Sequence, residues 1–132
     1  MRKLIASTFV SLDGVMQAPG GPEEDSTQGF SLGGWTFTYW DEVMGQSMSG
    51  FDGNDRELVL GRKTYEIFAA YWPRQPEDHP IARTFNAARK HVASRTLQSL
   101  QWNNSSVLGV DIVSAINTTP LVDVMLVLLI IF

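Results

Sequence analysis

Hydrophobic and polar positions along this chain fall into short blocks separated by turn residues. Lys3 to Ser11 is apolar at nearly every position, the pattern of a strand covered on both faces. Pro19 to Gly29 reads PGGPEEDSTQG and predicts an acidic surface loop. An aromatic stretch, GGWTFTYW, runs from Gly33 to Trp40. Asp41 to Phe51 then places Val43, Met44, Met48 and Phe51 on one helical face. Glu57 to Leu60 is a short apolar strand that stops at Gly61. Thr64 to Trp72 predicts a helix, with Tyr65, Phe68, Ala69 and Trp72 at helical spacing. Pro73, Pro76 and Pro80 bound a loop containing Glu77, Asp78 and His79. Pro80 to Arg89 predicts a short helix, with Pro80 suited to its first turn and Ile81, Phe85 and Ala88 on one face. Lys90 to Ser94 reads as a third strand, and Val107 and Leu108 as a short fourth. Strands alternating with helices predict an α/β layered domain with a mostly parallel sheet.

The pattern changes at the C-terminal end. Asn117 to Pro120 (NTTP) is a turn and cap signal, and Leu121 to Phe132 reads LVDVMLVLLIIF, with a single charge. As a helix this run extends about 18 Å, against a hydrocarbon core of roughly 30 Å. It is too short to span a bilayer as it stands. A buried terminal strand and a buried terminal helix both fit, because periodicity separates nothing where nearly every position is apolar.

Composition narrows the function classes. A chain of 132 residues makes one domain of ordinary size. The formal net charge of -4 leaves no basic stripe to replace phosphate counterions, which argues against nucleic-acid binding. With no cysteine there is no disulfide framework, thiolate metal site or cysteine nucleophile. His79 and His91 lie far apart without metal-ligand spacing, so no metal is expected. The N-terminal MRKLIASTFVSLDG is basic and then apolar, but Ser7, Thr8, Ser11 and Asp13 interrupt it. A first strand is the better reading than a secretion signal, and a cytoplasmic protein is the expectation.

The chemistry concentrates at ELVLGRKTYE, Glu57 to Glu66. A strand ends at Gly61 and a basic, hydroxyl-bearing helix start follows: Arg62, Lys63, Thr64. A helix N-terminus offers backbone N–H groups and a partial positive charge, which suits a phosphate. Gly61 lets the backbone approach closely. The stretch reads either as a dinucleotide pyrophosphate seat or as a plain strand–helix turn with two solvated cations.

Three motifs stand in order at predicted strand ends: SLDG (Ser11 to Gly14), LGRKTYE (Leu60 to Glu66) and SRTL (Ser94 to Leu97). Together they resemble the dihydrofolate-reductase-like family, in the branch holding the reductase domain of riboflavin-biosynthesis deaminase-reductases and its stand-alone relatives. YWDE (Tyr39 to Glu42) fits the stand-alone relatives. The resemblance covers Met1 to about Leu108. It implies NADPH binding and hydride transfer to a small pteridine- or pyrimidine-like heterocycle. Gly61, Arg62, Lys63 and Thr64 match the stretch that seats cofactor phosphate. Ser94, Arg95 and Thr96 match the turn that meets the adenosine 2′-phosphate. The residue types agree: guanidinium forks phosphate oxygens, and no carboxylate follows the strand to take a ribose hydroxyl instead.

Asp13 and Gly14 match the end of the first strand, near nicotinamide and substrate. Gly14 allows close approach there; Asp13 either orients substrate or fixes the turn. Asp41 and Glu42 stand near the place of a first-helix carboxylate that assists protonation in the folate reductases. The alternative is acidic charge complementing a helix dipole. Trp35, Tyr39 and Trp40 either wall a pocket for a planar heterocycle or are core aromatics. Relatives in this fold commonly pair, so the resemblance also implies a homodimer.

The family domain continues for about half as much again, so the resemblance implies a reductase domain truncated near residue 109. A junction at 110–116 and an apolar tail at 117–132 follow. AINTTPLVDVMLVLLIIF (Ala115 to Phe132) in turn resembles the start of the ExbD/TolR family of biopolymer-transport proteins. There a single membrane helix carries an aspartate that takes part in proton-driven work, and Asp123 holds the matching position. Two further readings follow: a non-catalytic nucleotide-binding remnant in a chimeric reading frame, and a membrane transport subunit. A truncated domain would leave an open sheet edge: either the tail patches it, or the chain is only marginally stable.

Overall fold

The computed structural model describes residues 3–50, 56–108 and 128–131. In chain order these form β1 (Leu4–Ser7), a 3-10 turn (Thr27–Gly29), α1 (Trp35–Thr38), α2 (Glu42–Ser49), β2 (Glu57–Gly61) and α3 (Arg62–Tyr71). There follow a 3-10 turn (Trp72–Arg74), α4 (Pro80–Ala87), β3 (Arg89–Ala93), β4 (Ser105–Val107) and β5 (Leu128–Ile131). They fall into two compact units. Thr8–Gly50 is one, and the described residues before and after it make up the other.

The larger unit is a mixed α/β layer built on one sheet of order β1-β5-β2-β3-β4. β2, β3 and β4 are parallel neighbours. β5 is antiparallel to both β1 and β2, so β1 runs in the same direction as β2. The predicted parallel arrangement therefore holds across β2-β3-β4, with β5 reversed.

β2 is a near-continuous apolar run, with Leu58, Val59 and Leu60 all buried, as a strand covered on both faces requires. Leu58 and Leu60 join Val92 of β3 on the face that receives α3 and α4. The core there is Leu58, Leu60, Tyr65, Phe85, Ala88, Val92 and Trp102, with Phe68, Ala69, Trp72 and Ile81 packed against it. α3 thus turns inward the stripe its spacing predicts, with Tyr65 buried and Phe68, Ala69 and Trp72 half-buried. Phe85 of α4 stacks on Phe68 at 5.7 Å between ring centres and meets Trp72 edge-on at 5.3 Å. α4 starts at Pro80, where a missing N–H costs nothing. His79 Nδ1 accepts the Ala82 amide as its cap.

One expectation is corrected. The first strand is not a long covered one from Lys3 to Ser11. It ends at Ser7, and Leu4 and Ile5 are exposed, because β1 is outermost in the described order and has a sheet neighbour on one side only. Of the tail at 117–132, the described residues are 128–131. Leu128–Ile131 lies inside the sheet, with Ile130 opposite both Ile5 and Leu58. Of the open choice between strand and helix, these four residues take the strand. Among the described residues no helix is long and apolar enough to cross a membrane. Asp123 and the proposed junction lie outside the described residues.

The smaller unit, Thr8–Gly50, is mostly loop. Among its residues only Ala18 and Thr36 are buried. Its loops are held by Gly34 N–H donating to Ala18 O at 2.8 Å and by Trp35 Nε1 donating to Gln17 O at 2.9 Å. A Cβ on Gly33 would lie 2.6 Å from the carbonyl oxygens of Gly21 and Pro22, so this crossing requires glycine. On α2, of the predicted apolar face, Met44 and Met48 are half-buried and Val43 is exposed; Phe51 lies outside the described residues.

Candidate functional site

The larger unit gathers its candidate residues at the carboxyl ends of β2 and β3. The two strands are in register from Glu57↔Arg89 to Gly61↔Ala93. Neighbouring strands lie about 4.8 Å apart, so the chain leaves β2 at Arg62 and β3 at Ser94 from adjacent points. This is the edge where open α/β sheets receive ligands. The parallel pairing is what does it, since an antiparallel pair would send the two turns to opposite ends.

At the first turn, α3 starts directly after β2. Gly61 is extended and supplies no side-chain cap. Arg62 and Lys63 are half-buried, whereas Thr64 is buried. The Arg62 guanidinium donates to Glu66 Oε1 at 3.3 Å, one helical turn on, a pairing that orients the side chain more than it stabilises the helix.

At the second turn the layers are reversed. Ser94 is buried, and its Oγ accepts the amides of Thr96 and Leu97 at 3.1 Å each. Arg95 and Thr96 are exposed. Neither 61–64 nor 94–97 contains a carboxylate. The edge therefore presents two cations, Arg62 and Lys63, on one turn and a cation and a hydroxyl, Arg95 and Thr96, on the other. That set suits phosphate oxygens.

The remaining candidates sit in the smaller unit. Ser11–Val15 forms a tight turn: Gly14 N–H donates to Ser11 O at 2.9 Å, and Gly14 has a φ of +88°, which favours glycine. Asp13 is exposed and accepts the Ser11 hydroxyl. That hydrogen bond holds its carboxyl below the usual range. Asp41 is the N-cap of α2, accepting the Met44 amide at 2.8 Å. Trp35 is half-buried and Tyr39 exposed. Trp40, Asp41, Glu42, Gly45, Gln46 and Ser49 line a shallow, open groove. Among the described residues no group of three or more His, Asp or Glu is placed to hold a metal.

No protein-family model and no curated protein matches this chain. The functional reading therefore rests on these turns and their chemistry.

Two polar clusters, one buried and one half-buried, escaped the sequence reading. Lys90 is fully buried. Its Nζ donates to Asn86 O at 2.9 Å and Asn103 O at 3.1 Å, and lies 4.2 Å from the centre of the Trp102 ring. Burial pushes its amine down to about 8. Trp102 is tied in turn through Nε1 to Asn86 Oδ1 at 2.8 Å and through its amide to the Tyr65 hydroxyl at 3.0 Å. On the opposite sheet face, His91 Nε2 lies 2.7 Å from Glu57 Oε2, a cross-strand bond between β2 and β3. The alternation of KHVAS carried the first signal: Lys90 shares a face with Val92.

Proposed function

We propose that the chain is an NADPH-dependent reductase of the dihydrofolate-reductase-like class, acting on a planar pteridine- or pyrimidine-like heterocycle. The observation that carries this reading is the Gly61↔Ala93 register, which brings the Arg62–Lys63 and Arg95–Thr96 turns to one sheet edge. The residues there fit a dinucleotide with an extra ribose phosphate. The start of α3, with Arg62 and Lys63, would hold the pyrophosphate. Arg95 and Thr96 would hold the 2′-phosphate, and the absence of a carboxylate from both turns disfavours a free ribose hydroxyl at that position. Bound NADPH supplies the hydride; the protein's task is to position the two rings and exclude water. The aromatic and acidic candidates, Trp35, Tyr39, Asp13 and Asp41, all belong to the smaller unit.

A second reading has its own support. Asp13 and Asp41 both spend a carboxylate oxygen on local structure, Asp13 accepting the Ser11 hydroxyl within its turn and Asp41 the Met44 amide in a helix cap. A nucleotide-binding module that does not turn over fits that use of both groups. One experiment separates the two. NADPH is titrated while tryptophan fluorescence is followed, and its absorbance is then monitored with a reducible pteridine present. Quenching with NADPH consumption supports the reductase; quenching alone supports the binding module. No quenching removes both.

A further inference from the structure

We propose that Ser94 is a positioning residue and that its turn reads the ribose phosphate with side chains rather than main-chain amides; the inference rests on the NADPH reading above. Ser94 is the first residue beyond β3 and is only 4% exposed. Its hydroxyl oxygen takes the amides of Thr96 and Leu97 at 3.1 Å each, and its contact with Thr96 Oγ1 is 3.4 Å. Two amides that a phosphate nest would use are thus engaged by the protein itself.

The turn is also pinned at both ends. Ser94 follows the buried Ala93, and Leu97 packs against the core cluster under α3 and α4. Between these anchors only Arg95 and Thr96 are exposed. Their guanidinium and hydroxyl are therefore what a phosphate meets. A backbone fixed in advance leaves less freedom to lose when the Arg95 fork closes on its ligand. Ser94 acts through Arg95 and Thr96, and it serves the preference between two cofactors rather than binding in general.

The test is the ratio of NADPH to NADH affinity, measured by titration of wild type, Ser94→Ala, Ser94→Thr, Thr96→Val and Arg95→Ala. Ser94→Ala is expected to lower the ratio roughly five- to tenfold, the size of one lost hydrogen bond, with NADH affinity unchanged. Ser94→Thr keeps the oxygen and restores the wild-type ratio, which a general packing defect would not allow. Arg95→Ala lowers the ratio further. If Ser94→Ala does not fold, Thr96→Val decides: it keeps the amide and removes the hydroxyl, so a lowered ratio supports side-chain reading and an unchanged ratio overturns it. If Ser94→Ala folds and leaves the ratio intact while Arg95→Ala collapses it, the positioning role is wrong and the NADPH reading stands. If Arg95→Ala also leaves it intact, the NADPH assignment of this turn fails. Tighter NADPH binding by Ser94→Ala, through released amides, overturns the side-chain mode.

Discussion

Gly61 of β2 and Ala93 of β3 are register partners at the carboxyl ends of two parallel strands. The pairing decides where the candidate residues of the larger unit lie. It sets two turns, far apart in sequence, beside each other at one sheet edge. One is a helix start with Arg62 and Lys63. The other presents Arg95 and Thr96.

The two cations are expected to differ in what they read. Arg95→Ala should weaken NADPH by tenfold or more, the loss of a charge-assisted fork, and leave NADH nearly unchanged. Lys63→Ala should weaken both cofactors alike, because both carry the pyrophosphate. Parallel titrations of the two variants check this. Equal losses of both cofactors in Arg95→Ala would remove the 2′-phosphate assignment.

Asp41 caps α2 by accepting the Met44 amide. Asp41→Ala should cost about 1 kcal/mol in α2, read as lost helicity or a lower melting point of the smaller unit. Asp41→Asn keeps an oxygen to cap Met44 and should preserve stability, NADPH binding and turnover. Turnover lost in Asp41→Asn with stability retained would move the carboxyl into the chemistry.

Lys90 makes stability depend on pH in an unusual direction. Its folded value of about 8 lies below the ordinary 10.5. Between those values the unfolded chain holds a proton that the folded chain does not, so stability rises with pH, by at most about 1.4 kcal/mol per unit. Below pH 8 both states are protonated and the burial penalty is fully present. Denaturant unfolding of wild type and Lys90→Met at pH 8, 9 and 10 reads the difference. The variant should lose the rise; identical slopes would show that Lys90 titrates normally.

β5 is a central strand, so its backbone is not replaceable. Ile130 is paired with Ile5 on one side and Leu58 on the other. Proline there removes a ladder hydrogen bond and should destabilise the larger unit by about 3 kcal/mol or more, seen as a lowered unfolding midpoint or insoluble protein. Wild-type stability in Ile130→Pro would mean that residues 128–131 are dispensable to the sheet.

The alternation of strands and helices was legible because β2, α3 and α4 carry clean periodicities and caps. Leu58 to Leu60 is a covered strand, the Tyr65–Phe68–Trp72 stripe packs on the core, and Pro80 opens α4. The depth of β1 was not legible: Leu4 and Ile5 look like core residues, yet edge position in a sheet is set by non-local pairing. The same holds for β5, whose uniform apolarity left helix and strand equally open. At the site, the two turns could be named from their motifs. The division of labour within them could not. Ser94 and Thr64 read as ligands in sequence, but both are buried, and only the fold shows that Ser94 Oγ is taken by its own turn. Lys90 was missed because a lysine on a core face is intelligible only with Asn86, Asn103 and Trp102 around it.

The most direct measurement is an amide-resolved NMR titration of the chain with NADPH. A single nucleotide spanning both turns predicts that the signals of Arg62, Lys63, Arg95 and Thr96 shift together along one binding curve. Shifts confined to one turn, or two turns saturating at different concentrations, would contradict a shared seat.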